Sequence, residues 1–117
     1  MKVAVAKYPI QAPADFAAFA ERQAAVLGAA AAQGARVAVL PEYLSLELAA
    51  TFDAGTQADL HASLAAIQRH RDDWLALYAR LAASLDIYVV AGTFLLAHGD
   101  GRYRNRCDVF APQGAHL

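Results

Sequence analysis

The stretch that decides the fold is Gly34-Ala35-Arg36-Val37-Ala38-Val39-Leu40-Pro41-Glu42-Tyr43. Its apolar residues fall on both faces of an extended chain, a pattern typical of a strand buried on both sides, as in parallel sheets. Gly34 is placed to end a preceding helix in the left-handed conformation. Pro41 ends the strand because it has no N–H to donate to a ladder. Glu42 is therefore predicted to lie just past the carboxyl end of a buried strand.

Strand and helix patterns alternate on both sides of this stretch. Residues 3–8 form a first apolar run with two apolar faces, and Pro13 and Asp15 suit the first turn of the helix that follows. Helical patterning resumes at residue 45 and continues to about residue 84, and it is interrupted by the all-polar residues 68–73. We expect separate helices on the two sides of that interruption.

Two further strands are predicted near the end of the sequence. Residues 87–93 form a third apolar strand, and residues 103–110 follow it as an antiparallel strand, since Asp100-Gly101 is a strong hairpin signal. Two βα units and a hairpin predict a layered α/β fold in the order β-α-β-α-α-β-β. Helices are expected to cover one face of the sheet, and no segment of the sequence is expected to cover the other.

The composition excludes several classes of protein. The 117 residues are 58% hydrophobic with a net charge of −1. A disordered chain is polar and rich in charge, so we do not expect disorder. The chain has no net positive field to attract phosphates, so we do not expect nucleic-acid binding either. No uncharged apolar run reaches the roughly 18 residues that span a membrane, and the apolar run before Lys7 is too short for a signal peptide. We expect a soluble, cytoplasmic protein. The four histidines are scattered, so no metal site is expected.

The candidate site residues lie at the carboxyl ends of the predicted strands, because ligands of open α/β sheets gather there. Glu42 is the candidate catalytic residue, since a carboxylate that is partly buried at a sheet rim suits general-base work. The alternative is a surface glutamate at a strand end. Tyr43 and Phe94, at the ends of the second and third strands, are the candidate substrate-binding residues. The only cysteine, Cys107, is predicted to face the core as an inert thiol.

Four segments in order resemble the nitrilase superfamily of carbon–nitrogen hydrolases. They are Lys2-Val3-Ala4-Val5-Ala6, the stretch from Gly34 to Tyr43, Ile87-Tyr88-Val89-Val90-Ala91-Gly92-Thr93-Phe94, and Asp100-Gly101-Arg102-Tyr103-Arg104-Asn105, followed by the turn Pro112-Gln113-Gly114. The resemblance covers the whole sequence and implies an αββα sandwich with a Glu–Lys–Cys mechanism. In that mechanism a glutamate is the general base, a cysteine attacks an amide or nitrile carbon, and a lysine stabilises the oxyanion.

On this resemblance Glu42 matches the family's general base, and no cofactor or metal is implied. The implied partners are a small amide or nitrile substrate and further copies of the chain in a homo-oligomer. The family's lysine lies on the strand beyond the Pro112-Gln113-Gly114 turn, and its cysteine lies further on. Neither position exists in this sequence. The resemblance therefore implies that residues 1–117 are the N-terminal part of a carbon–nitrogen hydrolase domain, inactive alone.

Two other functions stay open on the sequence. A non-catalytic α/β binding or assembly module needs a second chain to cover the other sheet face. A small nucleotide-binding domain is disfavoured, because Pro9-Ile10-Gln11-Ala12-Pro13 stands where a glycine-rich phosphate loop would follow the first strand. A lysine and then a cysteine encoded downstream of residue 117 would favour the hydrolase over the module.

Overall fold

Six strands form two sheets in the computed structural model, which describes residues 1–117. The strands are β1 (Lys2–Val5), β2 (Ala35–Val39), β3 (Tyr88–Val90), β4 (Phe94–Ala97), β5 (Tyr103–Arg106) and β6 (Val109–Phe110). The main sheet has the order β1-β2-β3-β6, and a separate two-stranded sheet contains β4 and β5. The first three strands are parallel, and β6 is antiparallel to β3. This mixed α/β architecture confirms the predicted fold class.

Four α-helices and two 3₁₀ helices connect the strands. They are α1 (Phe16–Ala32), the 3₁₀ helix Leu44–Thr51, α2 (Ala54–Gln57), α3 (Leu60–Ile67), the 3₁₀ helix Gln68–His70 and α4 (Arg71–Leu85). Asp15 caps α1 by accepting a hydrogen bond from the Ala18 N–H at 2.8 Å, and Gly34 follows the helix at φ 85°. None of these helices combines the length and apolar character that crossing a membrane requires.

The prediction of one continuous strand over residues 103–110 is wrong. This segment divides into β5, which pairs with β4, and β6, which pairs with β3. Cys107 lies in the irregular step between them and is exposed, whereas the adjacent Asp108 is buried. The strict alternation of a single strand does not hold where the chain passes from one sheet to the other, so the buried thiol expected here is not observed. Desolvation by neighbouring atoms and the Asp108 charge raise the pKa of the Cys107 thiol, which favours its protonated form.

One face of the main sheet packs against α1 and α4. Ala38, Val89 and Phe110 stand in register on that face, and each is at least 97% buried. Trp74 of α4 is fully buried at the centre of the core. Its ring lies 4.9–5.7 Å, between centroids, from the rings of three aromatic neighbours, Phe19, Tyr78 and Phe94. The core therefore lies on the helical side of the sheet.

The opposite face of the main sheet is not covered by any element. We call it the bare face, and its side chains in register are Val3, Val5, Val37, Val39, Tyr88, Val90 and Val109. Val3 is 52% exposed, Val5 76% and Tyr88 40%. Contiguous apolar surface of this kind marks an interaction face on a folded protein. The structure thus agrees with the expectation that helices cover one face only.

Asp108 ties the end of the chain to α4. Its side chain is 1% exposed, and its two carboxylate oxygens lie 2.8 Å from Arg71 Nη1 and 2.8 Å from His116 Nε2. Burial alone raises the pKa of this carboxyl, but contact with Arg71 and His116 outweighs burial and holds the pKa below its ordinary value. The folded state therefore favours the charged form of Asp108.

We expect Asp108→Asn to lower the free energy of unfolding at pH 7 by about 3 kcal/mol, because Arg71 would lose its counter-charge in a mostly buried position. Since the folded pKa is depressed, the carboxylate's contribution is present above the unfolded pKa and is lost as the pH falls through the folded value. Urea unfolding at pH 7 and near pH 3 measures both effects. The control Asp86→Asn, at an exposed left-handed position that asparagine also adopts, should change the stability by less than about 0.5 kcal/mol. An equal loss for Asp108→Asn at both pH values would contradict this account.

Candidate active site

Glu42 lies where the sequence predicts it, just past the carboxyl end of β2. The Leu40 N–H still donates to the Val90 carbonyl at 3.0 Å, and Pro41 then ends the pairing. The Glu42 side chain is exposed, so the partial burial expected for it is not observed. The physical reason is that no element of the chain covers this end of the sheet.

A close contact between two turns sets the path of the backbone before Glu42. Gly92, in the turn after β3, has φ 67°, and a Cβ atom there would lie 2.3 Å from the Pro41 carbonyl oxygen. Only glycine allows both this conformation and this approach. A lone glycine inside an apolar strand pattern is a sequence signal of such an approach.

Tyr43 continues from Glu42 in a left-handed conformation, at φ 63° and ψ 18°. Its N–H donates to Thr93 Oγ1 at 2.6 Å. Two residues later, the Ser45 N–H donates to the Thr93 carbonyl at 3.3 Å, and Ser45 Oγ accepts from the Leu95 N–H at 3.1 Å. A non-glycine residue held at positive φ by its surroundings is a recurrent feature of functional sites. Thr93 and Ser45 thus fix the segment that follows Glu42.

The Glu42 carboxylate is held by a residue that is distant in sequence. Asn105 Nδ2 donates to Glu42 Oε2 at 2.6 Å, across 63 residues of chain. Asn105 is on β5, opposite Leu95 of β4. In the sequence, Asn105 belongs to a segment that resembles the nitrilase superfamily, and no local pattern predicts this contact.

A cavity of about 490 Å³ opens beside Glu42 and Tyr43. Tyr43 is 49% exposed and lines it. Phe94 does not line it: the ring is fully buried in the core, and the Arg71 guanidinium lies 5.1 Å from its centroid. The structure therefore brings Glu42 and Tyr43 to one cavity, and the position near a pocket expected for Phe94 is not observed. Phe94 starts β4, and its side chain points to the helical side, where Trp74 packs on it.

Beneath this cavity lies a polar network that the sequence analysis did not find. Glu47 is 5% exposed; its Oε1 accepts from the Tyr8 hydroxyl and its Oε2 from the Gln11 N–H, each at 2.9 Å. The Tyr8 hydroxyl accepts from Gln23 Nε2 at 2.9 Å, and Gln23 Oε1 accepts from the Tyr78 hydroxyl at 2.8 Å. Burial, together with the hydrogen bond to Glu47 and its charge, raises the pKa of Tyr8 to about 12. The network joins the end of β1, both long helices and the 3₁₀ helix after Glu42.

No cluster of three or more His, Cys, Asp and Glu side chains is placed to hold a metal ion. Every ion pair in the structure involves Asp108, whose partners are Arg71, Arg106 and His116. At this end of the sheet Glu42 provides a carboxylate with one amide donor, beside the exposed phenol of Tyr43.

We expect Gly92→Ala to lower the free energy of unfolding by more than about 2 kcal/mol, because an L side chain at positive φ is strained and its Cβ would collide with a backbone oxygen. Gly28 is the matched control, since it lies inside α1 with no atom within 4 Å of an added Cβ. Gly28→Ala should raise the stability by about 0.5–1 kcal/mol. Both values come from urea unfolding followed by circular dichroism. Equal effects of the two variants would rule out the close approach at Gly92.

Comparison with known proteins shows what this architecture is similar to. A carbon–nitrogen hydrolase from Helicobacter pylori G27 matches 99% of this chain with a TM-score of 0.72 and 14% sequence identity. A mutant amidase of the nitrilase superfamily from Nesterenkonia AN1 matches 100% of the chain with a TM-score of 0.63 and 16% identity. A double mutant of the Nesterenkonia sp. AN1 amidase, in complex with acrylamide, matches with a TM-score of 0.62 and 15% identity.

The chain spans 37% of the hydrolase and 40–41% of the two amidase structures. No protein-family model and no curated protein matches the sequence. At these identities the likeness establishes the fold, and it agrees with the mixed α/β fold class that the sequence predicts. The chain has the fold of about two-fifths of a carbon–nitrogen hydrolase of the nitrilase type.

Proposed function

We propose that residues 1–117 are the N-terminal part of a hydrolase that acts on the carbon–nitrogen bond of small amides or nitriles. Glu42 is the general base of a Glu–Lys–Cys mechanism. The observation that carries this proposal is the Glu42 carboxylate, held by Asn105 at the carboxyl end of β2, in a fold shared with amidases. Tyr43 lines the same cavity and is the proposed substrate contact.

In this proposal Glu42 accepts the proton of a cysteine thiol, and the thiolate sulfur then bonds to the amide or nitrile carbon. A lysine stabilises the negative charge that develops on the substrate heteroatom. For an amide, ammonia leaves with the proton from Glu42, and water then releases the acyl group as an acid. Cys107 is not assigned this role, because it precedes the Pro112-Gln113-Gly114 turn, whereas the resemblance places the cysteine of the mechanism beyond it.

The bare face supports the idea that this is part of a larger unit. In an αββα sandwich each sheet packs on a second sheet through the face that its helices leave free. The bare face has the apolar side chains that such packing needs, among them Val5 and Tyr88. We propose that the part of the protein that covers this face also supplies the lysine and the cysteine.

The bare face also favours a second candidate function, a non-catalytic module that assembles with copies of itself. In that case the same valines contact another 117-residue chain, and Glu42 is a surface carboxylate bound to Asn105. Measurements of catalytic activity and of the oligomeric state in solution together distinguish the two functions.

We expect the 117-residue chain alone to release no ammonia from acrylamide or simple nitriles above the buffer rate. A chain that continues in frame past residue 117, which this proposal requires, should release it. In that product of the longer reading frame, Glu42→Gln should lower kcat by about 10²–10⁴-fold, because the general base is lost. The matched control is Glu21→Gln, which changes an exposed carboxylate on α1 and should leave the rate unchanged. Turnover by the 117-residue chain, or full activity of Glu42→Gln, would contradict the proposal.

We expect the 117-residue chain to self-associate through the bare face. Light scattering should give a mass that rises with concentration, and Val3→Lys combined with Val5→Lys should return the chain to a monomer, since both side chains are exposed on the edge strand. Leu60→Lys, at a 63% exposed position on α3, should leave the association intact. Association by the bare face that persists in the longer product would favour the assembly module. A monomer at all concentrations would show that the bare face needs no partner.

A further inference from the structure

We infer that Asn105 is a positioning residue for Glu42: its side-chain amide holds Oε2 and leaves Oε1 as the oxygen that takes the proton. The inference rests on the proposed role of Glu42. Its basis is the position of the Asn105 amide on β5, which faces the Glu42 carboxylate after β2, with Nδ2 and Oε2 2.6 Å apart.

The chemistry of the two groups makes their roles unequal. A carboxylate oxygen only accepts, and an amide NH₂ only donates, so the hydrogen bond is formed while Glu42 is charged. A bond from a neutral donor to a carboxylate is stronger than one between neutral groups. The amide does not ionise near neutral pH, so it holds one oxygen without competing for the proton that the other accepts.

Glu42 depends on this contact because nothing else holds its side chain. Its carboxylate forms no ion pair, and Asn105 is the one side chain that donates a hydrogen bond to it. Glu42 is also exposed, so packing does not restrict it. A free glutamate side chain samples many rotamers, and the Asn105 hydrogen bond selects one orientation.

A short series of contacts links the Asn105 amide to the segment that follows Glu42. Asn105 is in register with Leu95 across the β4–β5 hairpin. The Leu95 N–H donates to Ser45 Oγ, and Ser45 lies three residues after Glu42. The donor and the acceptor are therefore connected through the same few contacts between β4, β5 and the segment after Glu42.

The contact can be tested directly in the 117-residue chain, because Asn105 is its only asparagine. Labelling with ¹⁵N at the asparagine side-chain amide gives a single pair of NMR signals. We expect these signals to shift as the pH is raised from about 3 to 7, to lose that response in Glu42→Gln, and to keep it in Glu21→Gln. A response that survives in Glu42→Gln, or no response in the unaltered chain, would overturn the inference.

The functional consequence is tested in the product of the longer reading frame. Asn105→Ala should lower kcat by about 10²-fold with KM changed by less than about 3-fold, because a misplaced base costs rate rather than affinity. Asn105→Asp should lose at least as much at neutral pH, although it has nearly the same shape, since an ionised carboxylate has no proton to donate. If Asn105 served only in packing, Asn105→Asp would keep the full rate, because the two side chains have nearly the same shape.

The control is Arg104→Ala, at an exposed neighbouring position on β5, which should retain the full rate. An active parent enzyme whose Asn105→Ala and Asn105→Asp variants also retain full kcat would overturn this inference and leave the proposed function standing. An inactive parent enzyme with a normal NMR response would overturn the proposed function and leave the Asn105–Glu42 contact standing.

Discussion

The parallel pairing of β2 with a strand on each side is the constraint on which the rest of the structure depends. Both of its edges are hydrogen-bonded, to β1 and to β3, so its position and direction are set by two neighbours at once. Parallel strands bring their carboxyl ends to one edge of a sheet. The segments after β2 and β3 must therefore meet there, and they meet where Gly92 packs on the Pro41 carbonyl.

Beyond this meeting point, hydrogen bonds from backbone N–H groups hold the site together more than charge does. Thr93 receives the Tyr43 N–H, and Ser45 joins the 3₁₀ helix to the start of β4. The one side-chain hydrogen bond to the Glu42 carboxylate comes from Asn105, a neutral amide. The Glu42 carboxylate is thus oriented by contacts within the chain itself, which is the condition that its proposed role as a general base requires.

The bare face follows from the same pairing. A parallel strand with apolar residues on both faces must be covered on both. The helices bury the row formed by Ala38, Val89 and Phe110, and they leave the valine row on the other side in contact with solvent. The hydrophobic pattern that identifies the strands therefore also indicates that this sheet has a second partner. The fold and the proposed need for a larger assembly have one physical origin.

The alternation of strands and helices, the C-terminal end of α1 and the place of Glu42 were determined by the sequence itself, because periodicity and Pro or Gly act on their immediate neighbours. The start of α1 lies later than expected, since Asp15 is its N-cap and Phe16 its first residue. The division of the last strand into β5 and β6, the exposure of Cys107 and the burial of Phe94 were decided by which sheet each segment joins. The contacts of Glu42 with Asn105 and of Glu47 with Tyr8 link residues 63 and 39 positions apart. No local signal encodes such contacts, because they exist only once packing has brought distant segments of the chain together.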